Sequence, residues 1–265
     1  MTFSNWLFGD IENPVINGRW GPLHILTLII CAALIVSFYF IVKHAKNKEK
    51  TKKIIVFTLT SLILFFEIAS RVVYLIKKYV IFSPGMEGLS LTWIILPKPW
   101  CAIACWVLIA SVYVNRRFFY NYASLSALLC ALIFFSYPGV GYNNQYILFD
   151  NLYSIVTHAL LLTTSITLIV LRFTEFKYRG IWKVGIAFAL TYVYGLIQIY
   201  LLKTQTDPMY FMPNGDIQAG ILKISYGLYL FLYIAFILIY VNAFYLVEDR
   251  RTVSALLGRI RKKER

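Results

Sequence analysis

The stretch PLHILTLIICAALIVSFYFIVKHAKNKEKTKK, residues 22–53, decides the class of this protein. Its apolar part, residues 22–42, has the length that an α-helix needs to cross the hydrocarbon core of a bilayer. The part that follows, residues 43–53, carries six lysines, and such a cluster is typical of the cytoplasmic end of a membrane helix. This stretch alone therefore predicts one membrane helix and its orientation.

The composition of the whole chain is also that of a membrane protein. Of its 265 residues, 60% are hydrophobic and 17% aromatic, whereas a soluble domain is closer to half apolar. We therefore expect an all-α fold in a single domain over residues 1–265, a bundle of seven transmembrane helices. The predicted spans are about 22–42, 54–76, 91–114, 118–137, 151–171, 181–203 and 221–247.

The basic residues alternate between rich and poor connections. Of the 26 lysines and arginines, 19 fall in four regions, namely 43–53, 116–117, 172–183 and the tail 250–265, five fall in the regions between them, and Arg71 and Lys98 are the other two. Because basic residues concentrate on the cytoplasmic side, we expect the N-terminus outside, the C-terminus in the cytoplasm, and a multi-pass location in the cell membrane. Topology thus accounts for the net charge of +14, and we expect no nucleic-acid partner.

Apart from the lysines already counted at the ends of the spans, five ionisable side chains lie at membrane depth, where a charge is costly and often marks a function. They are His24, Glu67, Arg71, Lys98 and His158. With the N-terminus outside, all five lie in the outer half of the bundle, and the outer connections add Asp207 and Tyr210. We therefore expect the functional site in the outer half.

Each of these side chains also has a structural interpretation. Glu67 and Arg71 are four residues apart, so they can meet on one helix face and neutralise each other. Lys98 can extend toward the headgroups. His24 can anchor at the interface, and His158, which has apolar neighbours, can be an ordinary core histidine. These alternatives stay open at the level of the sequence.

The stretch WIILPKPWCAIACW, residues 93–106, departs from the rules of a membrane helix. Its two prolines lack a backbone N–H, which frees carbonyl groups near Ile94 and Ile95. Irregular backbone at membrane depth is tolerated where it lines a cavity inside the protein. Cys101 follows this break, and with His158 it could form a thiolate nucleophile whose imidazole partner later acts as general acid.

The four cysteines all fall in apolar runs, where a disulfide or a zinc site is not expected. They are Cys31, Cys101, Cys105 and Cys130. We expect no metal site, and we interpret Cys105 as a packing residue.

The order of these motifs resembles the YwaF-type bacterial integral membrane proteins and their eukaryotic relative, transmembrane protein 164. The shared pattern comprises GPLH ending in His24, FFEIASR containing Glu67, LPKPWC ending in Cys101, His158 in the fifth helix, and DPMYFM at 207–212. The pattern covers nearly the whole chain and implies seven helices in the same order.

The eukaryotic relative is assigned as a phospholipid acyltransferase, so the resemblance implies that Cys101 is the acyl-carrying nucleophile and His158 its partner. The supporting or substrate-binding residues would be His24, Glu67, Arg71, Lys98, Asp207 and Tyr210. Many bacterial members read Leu-Pro-Leu-His-Leu-Cys, and here Pro99 stands in place of that histidine. If the histidine assists catalysis elsewhere, Lys98 or His24 would have to serve. The expected partner is a membrane phospholipid or lipid-linked substrate, with no cofactor.

Other classes of function stay open. A small-solute transporter or ligand-binding membrane protein also uses broken helices with charges at depth, although this chain has no internal repeat. Haem ligation by His24 and His158 is a third reading, which no paired-histidine motif supports. If the protein acts on a lipid ester, transfer of the acyl group to an acceptor and its hydrolysis by water are both open.

Overall fold

The computed structural model of the protein describes residues 3–8, 20–82, 90–97, 100–136, 141–142, 147–202, 210, 213 and 222–249. These residues form helices and no strand, which confirms the all-α class. The helices are α1 (Phe3–Phe8), α2 (Pro22–His44), α3 (Lys48–Tyr79), α4 (Leu91–Ile95), α5 (Trp100–Val114), α6 (Arg117–Ser136), α7 (Phe149–Val170), α8 (Ile181–Tyr200) and α9 (Tyr226–Glu248).

Six helices in this described part of the chain are long and apolar enough to cross a membrane. They are α2, α3, α6, α7, α9, and α8 together with the 3-10 turn Tyr178–Gly180 that precedes it. The protein is therefore a multi-pass membrane protein. The third predicted span, 91–114, is instead divided between α4 and the shorter apolar helix α5. The backbone bends at Leu96, where the prolines of the sequence prevent a continuous helix.

Local sequence explains where α2 and α3 begin. Pro22 is the first residue of α2, where its missing N–H would have no helical partner in any case. Asn47 caps α3, and its Oδ1 accepts a hydrogen bond of 3.0 Å from the backbone N–H of Lys50. With 32 residues, α3 is roughly 48 Å long. It starts before and ends after the predicted span 54–76. Its length also exceeds the thickness of a hydrocarbon core, about 30 Å.

Contacts divide the chain into two compact units, residues 1–173 and 174–265. In the first unit, α6 packs between α5 and α7, α2 packs on α7, and α3 packs on both α5 and α7. The most apolar part of α6 is 72% buried, against 17% for α2, so α6 is the central helix. Ala123, Ser124 and Ala127 of α6 are fully buried, and small residues of this kind let helices approach closely.

The second unit contains an antiparallel pair formed by α8 and α9. The backbone N–H of Tyr178, just before α8, donates a 3.0 Å hydrogen bond to Oδ2 of Asp249, just after α9. Phe176 lies edge-on against the ring of Tyr245 with 5.3 Å between the centroids. These contacts bring the start of α8 to the end of α9. A single domain over the whole chain stays a prediction.

Candidate functional site

A buried carboxylate is the centre of the candidate site in the first unit. Glu67 of α3 is fully buried, and its Oε2 accepts a 2.7 Å hydrogen bond from Nη1 of Arg71, one turn along the same helix. Its Oε1 accepts a 2.6 Å hydrogen bond from the hydroxyl of Tyr153 on α7. The ion pair predicted from the i, i+4 spacing is thus present, and it has a third partner that the sequence analysis missed.

Arg71 connects this carboxylate to the broken third segment. Its Nε donates a 3.0 Å hydrogen bond to the carbonyl oxygen of Ile95, the last residue of α4. That carbonyl would pair in a continuous helix with the N–H of residue 99, which is a proline and has none. The guanidinium also lies over the Trp106 ring of α5, 5.3 Å from the centroid. Arg71 therefore satisfies the backbone group that the proline leaves without a partner.

Two thiols of α5 lie beside Glu67. Cys101 is the second residue of the helix and is half-buried. Cys105, one turn further, is buried and close enough to Glu67 to interact with its carboxylate. Cys101 is close enough to interact with the Glu67 charge. Cys101 and Cys105 are four residues apart, so the sequence places them on one face of α5, just as it places Glu67 and Arg71 on one face of α3.

Trp106 adds an unsatisfied donor to this cluster. Its indole Nε1 is buried and has no hydrogen-bond partner in the described part of the chain. Buried polar groups of folded proteins are nearly always paired, so a buried N–H of this kind is available to a bound polar group.

The structure gives His158 different neighbours from those of Cys101. Its Nδ1 donates a 2.7 Å hydrogen bond to the carbonyl oxygen of Ser154, so Nε2 is the nitrogen with the free lone pair. Its ring stacks on Phe134 of α6, with 3.7 Å between centroids. Tyr153 and His158 are five residues apart, so they project about 140° from each other around α7. Within the described residues, no hydrogen bond joins His158 to Cys101, and the catalytic pair stays a prediction.

His24 belongs to an aromatic cluster that also includes Phe134. The imidazole is fully buried, and its ring lies 4.7 Å from Trp20, 5.0 Å from Tyr142 and 5.7 Å from Phe135, between centroids. Neither ring nitrogen has a hydrogen-bond partner among the described residues. The Phe134 ring lies 6.1 Å from Tyr142, which connects this cluster to His158. Burial also raises the pKa of the Tyr142 phenol, which lies in the connection after α6.

The remaining predicted site residues are Lys98, Asp207 and Tyr210, together with the departure at Pro99. Lys98, Pro99 and Asp207 are outside the described residues. Tyr210 belongs to the second unit, where its carbonyl oxygen accepts a hydrogen bond from the hydroxyl of Tyr229. No group of three histidine, cysteine or acidic residues that could hold a metal ion occurs in the described ranges.

The chain was compared with protein-family models, with curated proteins and with solved structures, and none of them matched. The function is therefore argued from the site itself.

Proposed function

We propose that the protein is a membrane-embedded enzyme of the YwaF type that transfers or hydrolyses the acyl group of a lipid ester, with Cys101 as nucleophile. The observation that carries this proposal is the position of Cys101. Cys101 is a half-buried thiol in the first turn of α5, directly after the break between α4 and α5, and it lies near enough to Glu67 to interact with its charge. Reactive cysteines lie in partly exposed positions and often at helix N-termini, which is where Cys101 lies.

The reaction would proceed in two steps. The Cys101 sulfur attacks the ester carbonyl, the C–O bond to the leaving alcohol breaks, and a thioester forms while the thiol proton ends on the alcohol. An acceptor alcohol, amine or water then attacks the thioester, which releases the acyl product and restores the thiol. The N–H groups at the start of α5 would stabilise negative charge on the carbonyl oxygen.

The group that accepts the Cys101 thiol proton is proposed from its nearness to that thiol. The interaction of both α5 thiols with Glu67 supports this carboxylate as the acceptor, with Tyr153 and Arg71 fixing its position. His158, which the family resemblance implies, has a free Nε2 lone pair and stays the alternative. Arg71 would also attract the phosphate of a phospholipid substrate.

The membrane arrangement is part of the same proposal. With 15 residues, α5 is roughly 22 Å long and falls short of a hydrocarbon core of about 30 Å. We infer that α4 and α5 together make a seventh crossing, interrupted at the prolines. The loop charges then favour an N-terminus outside the cell, a cytoplasmic C-terminus and a site in the outer half of the cell membrane.

The test is acyl transfer by the purified protein in proteoliposomes that contain a phospholipid with a labelled acyl chain and a lysolipid acceptor. The variant Cys101→Ala should lose about a thousand-fold or more of the activity, because the covalent step needs the sulfur. Mass spectrometry of the wild-type protein should find a hydroxylamine-sensitive acyl group on Cys101.

Cys31→Ala is the matched control, because Cys31 is a buried thiol of α2 outside the candidate site, and it should keep activity. Full activity of Cys101→Ala would contradict the proposal. Solute flux into the same vesicles that survives this substitution would favour a transporter instead.

A further inference from the structure

An open cleft of about 620 Å³ lies in the first unit at the end where α3 begins. Its walls come from the start of α3, the end of α5, the start of α6 and Phe173 just after α7. The volume is within the range of ordinary ligand pockets, about 300–1,000 Å³. Along α3, ten residues or roughly 15 Å separate Phe57 in this cleft from Glu67, so the cleft is distinct from the candidate active site.

The polar part of the cleft carries net positive charge. Lys50 and Lys53 line it with exposed side chains, and neither makes an ion pair within the described part of the chain. Glu49 also lines the cleft, where its carboxylate pairs with Lys52, outside the lining, at 2.8 Å and interacts more weakly with Lys53, so the two lining lysines still outnumber the one lining carboxylate. A single anionic group placed between Lys50 and Lys53 would therefore be attracted by both ammonium groups.

The part of the cleft that is lined by the next turn of α3 is apolar. Ile54 and Phe57 line it and are 53% and 55% exposed, and Val112 of α5 and Phe173 continue the apolar wall. The cationic residues thus come first along α3, where the helix leaves the lysine-rich connection, and the apolar ones follow toward the membrane-spanning part. This is the order of the phosphate and the acyl chains in a phospholipid.

We propose that this cleft binds one anionic phospholipid from the leaflet at this end of the bundle. The phosphate lies between Lys50 and Lys53, and an acyl chain lies along Ile54 and Phe57. A basic cleft open to a lipid leaflet recognises such a headgroup by charge, since lysines near a membrane surface attract anionic lipids.

The test is a titration of the delipidated, full-length protein in detergent with phosphatidylglycerol or with phosphatidylcholine of the same chain length, followed by native mass spectrometry. Phosphatidylglycerol should bind about ten-fold or more tightly than phosphatidylcholine. The double variant Lys50→Gln, Lys53→Gln should lose this preference. Phe57→Ala should weaken the binding of both lipids to a similar extent, because it removes acyl-chain contact.

Two matched controls keep the test specific. The double variant Lys46→Gln, Lys48→Gln makes the same charge change in the same basic segment but outside the cleft, and it should keep the preference. Phe65→Ala removes an exposed phenylalanine of α3 that does not line the cleft, and it should bind both lipids like wild type.

Three results would overturn the proposal. The cleft variant could keep the preference for phosphatidylglycerol, or the control pair could lose it equally, which would indicate general surface charge. Glycerol phosphate, which has no acyl chains, could also compete as well as the lipid, which would indicate a site for free phosphate. None of these measurements depends on acyl-transfer activity, so the lipid-binding proposal and the proposed enzymatic function are tested independently.

Discussion

Arg71 joins three helices through one guanidinium group. It pairs with Glu67 on its own helix, donates to the carbonyl of Ile95 at the end of α4, and lies over the Trp106 ring of α5. The first contact follows from the i, i+4 spacing in the sequence. The other two follow only from packing, because nothing in the sequence indicates that α4 and α5 lie beside this turn of α3.

The buried carboxylate should be important for stability. In Glu67→Ala, the Arg71 charge loses its partner inside the bundle, and we expect a loss of about 3–5 kcal/mol in the free energy of unfolding. Tyr153→Phe removes one hydrogen bond to a charged group and should cost less, about 1.5–3 kcal/mol. Reversible unfolding in mixed detergent micelles measures both.

Glu49→Ala is the control for this pair of variants. Glu49 is on the same helix and pairs with Lys52 at 2.8 Å, but its side chain is 75% exposed, so water screens the interaction. We expect no measurable change in unfolding. Equal losses for Glu49→Ala and Glu67→Ala would contradict the stabilising role of the buried pair.

At the scale of elements, α6 determines how closely the helices of the first unit pack. Its small side chains are fully buried between α5 and α7, which is why α6 is long and apolar yet presents little surface to lipid. The sequence predicted this helix and nearly its bounds. It did not predict that α6 would be central, because a helix that faces lipid and a helix that faces protein are both apolar.

Enlarging a buried small residue of α6 should therefore disrupt packing. Ala127→Leu adds three carbon atoms at a position with no exposed surface, and we expect a loss of about 1–3 kcal/mol in unfolding free energy. The matched variant Ala33→Leu is on the exposed surface of α2 and should unfold like wild type. A lower thermal midpoint for Ala33→Leu than for Ala127→Leu would show that α6 is not the tightly packed helix.

At the scale of the whole molecule, contacts join helix ends of the first unit into two groups. The end of α3 and the start of α7 are joined by a 3.0 Å ion pair between Lys77 and Asp150. The start of α3, the end of α5 and Phe173 share the basic cleft at the other end. Successive crossings would put these two groups on opposite sides of the membrane, and the proposed orientation decides which side is cytoplasmic.

Cysteine labelling in intact cells tests that orientation. Lys46→Cys and Phe82→Cys are at exposed positions near opposite ends of α3. A membrane-impermeant maleimide should label Phe82→Cys only, and it should label both variants after the cells are permeabilised. Labelling of Lys46→Cys alone in intact cells would show the opposite orientation. The unsubstituted protein gives the background labelling of the native cysteines.

The sequence by itself determined the helical class, six of the seven apolar spans as continuous helices, the break at the prolines and the Glu67–Arg71 pair. These features depend on composition, on the missing proline N–H and on a spacing of four residues, all of which act over short stretches of chain. Only the tertiary structure decided that Tyr153 donates a hydrogen bond to Glu67, while His158 stacks on Phe134. Those contacts depend on which faces of separate helices meet, and apolar helices in a membrane carry little sequence signal for that choice.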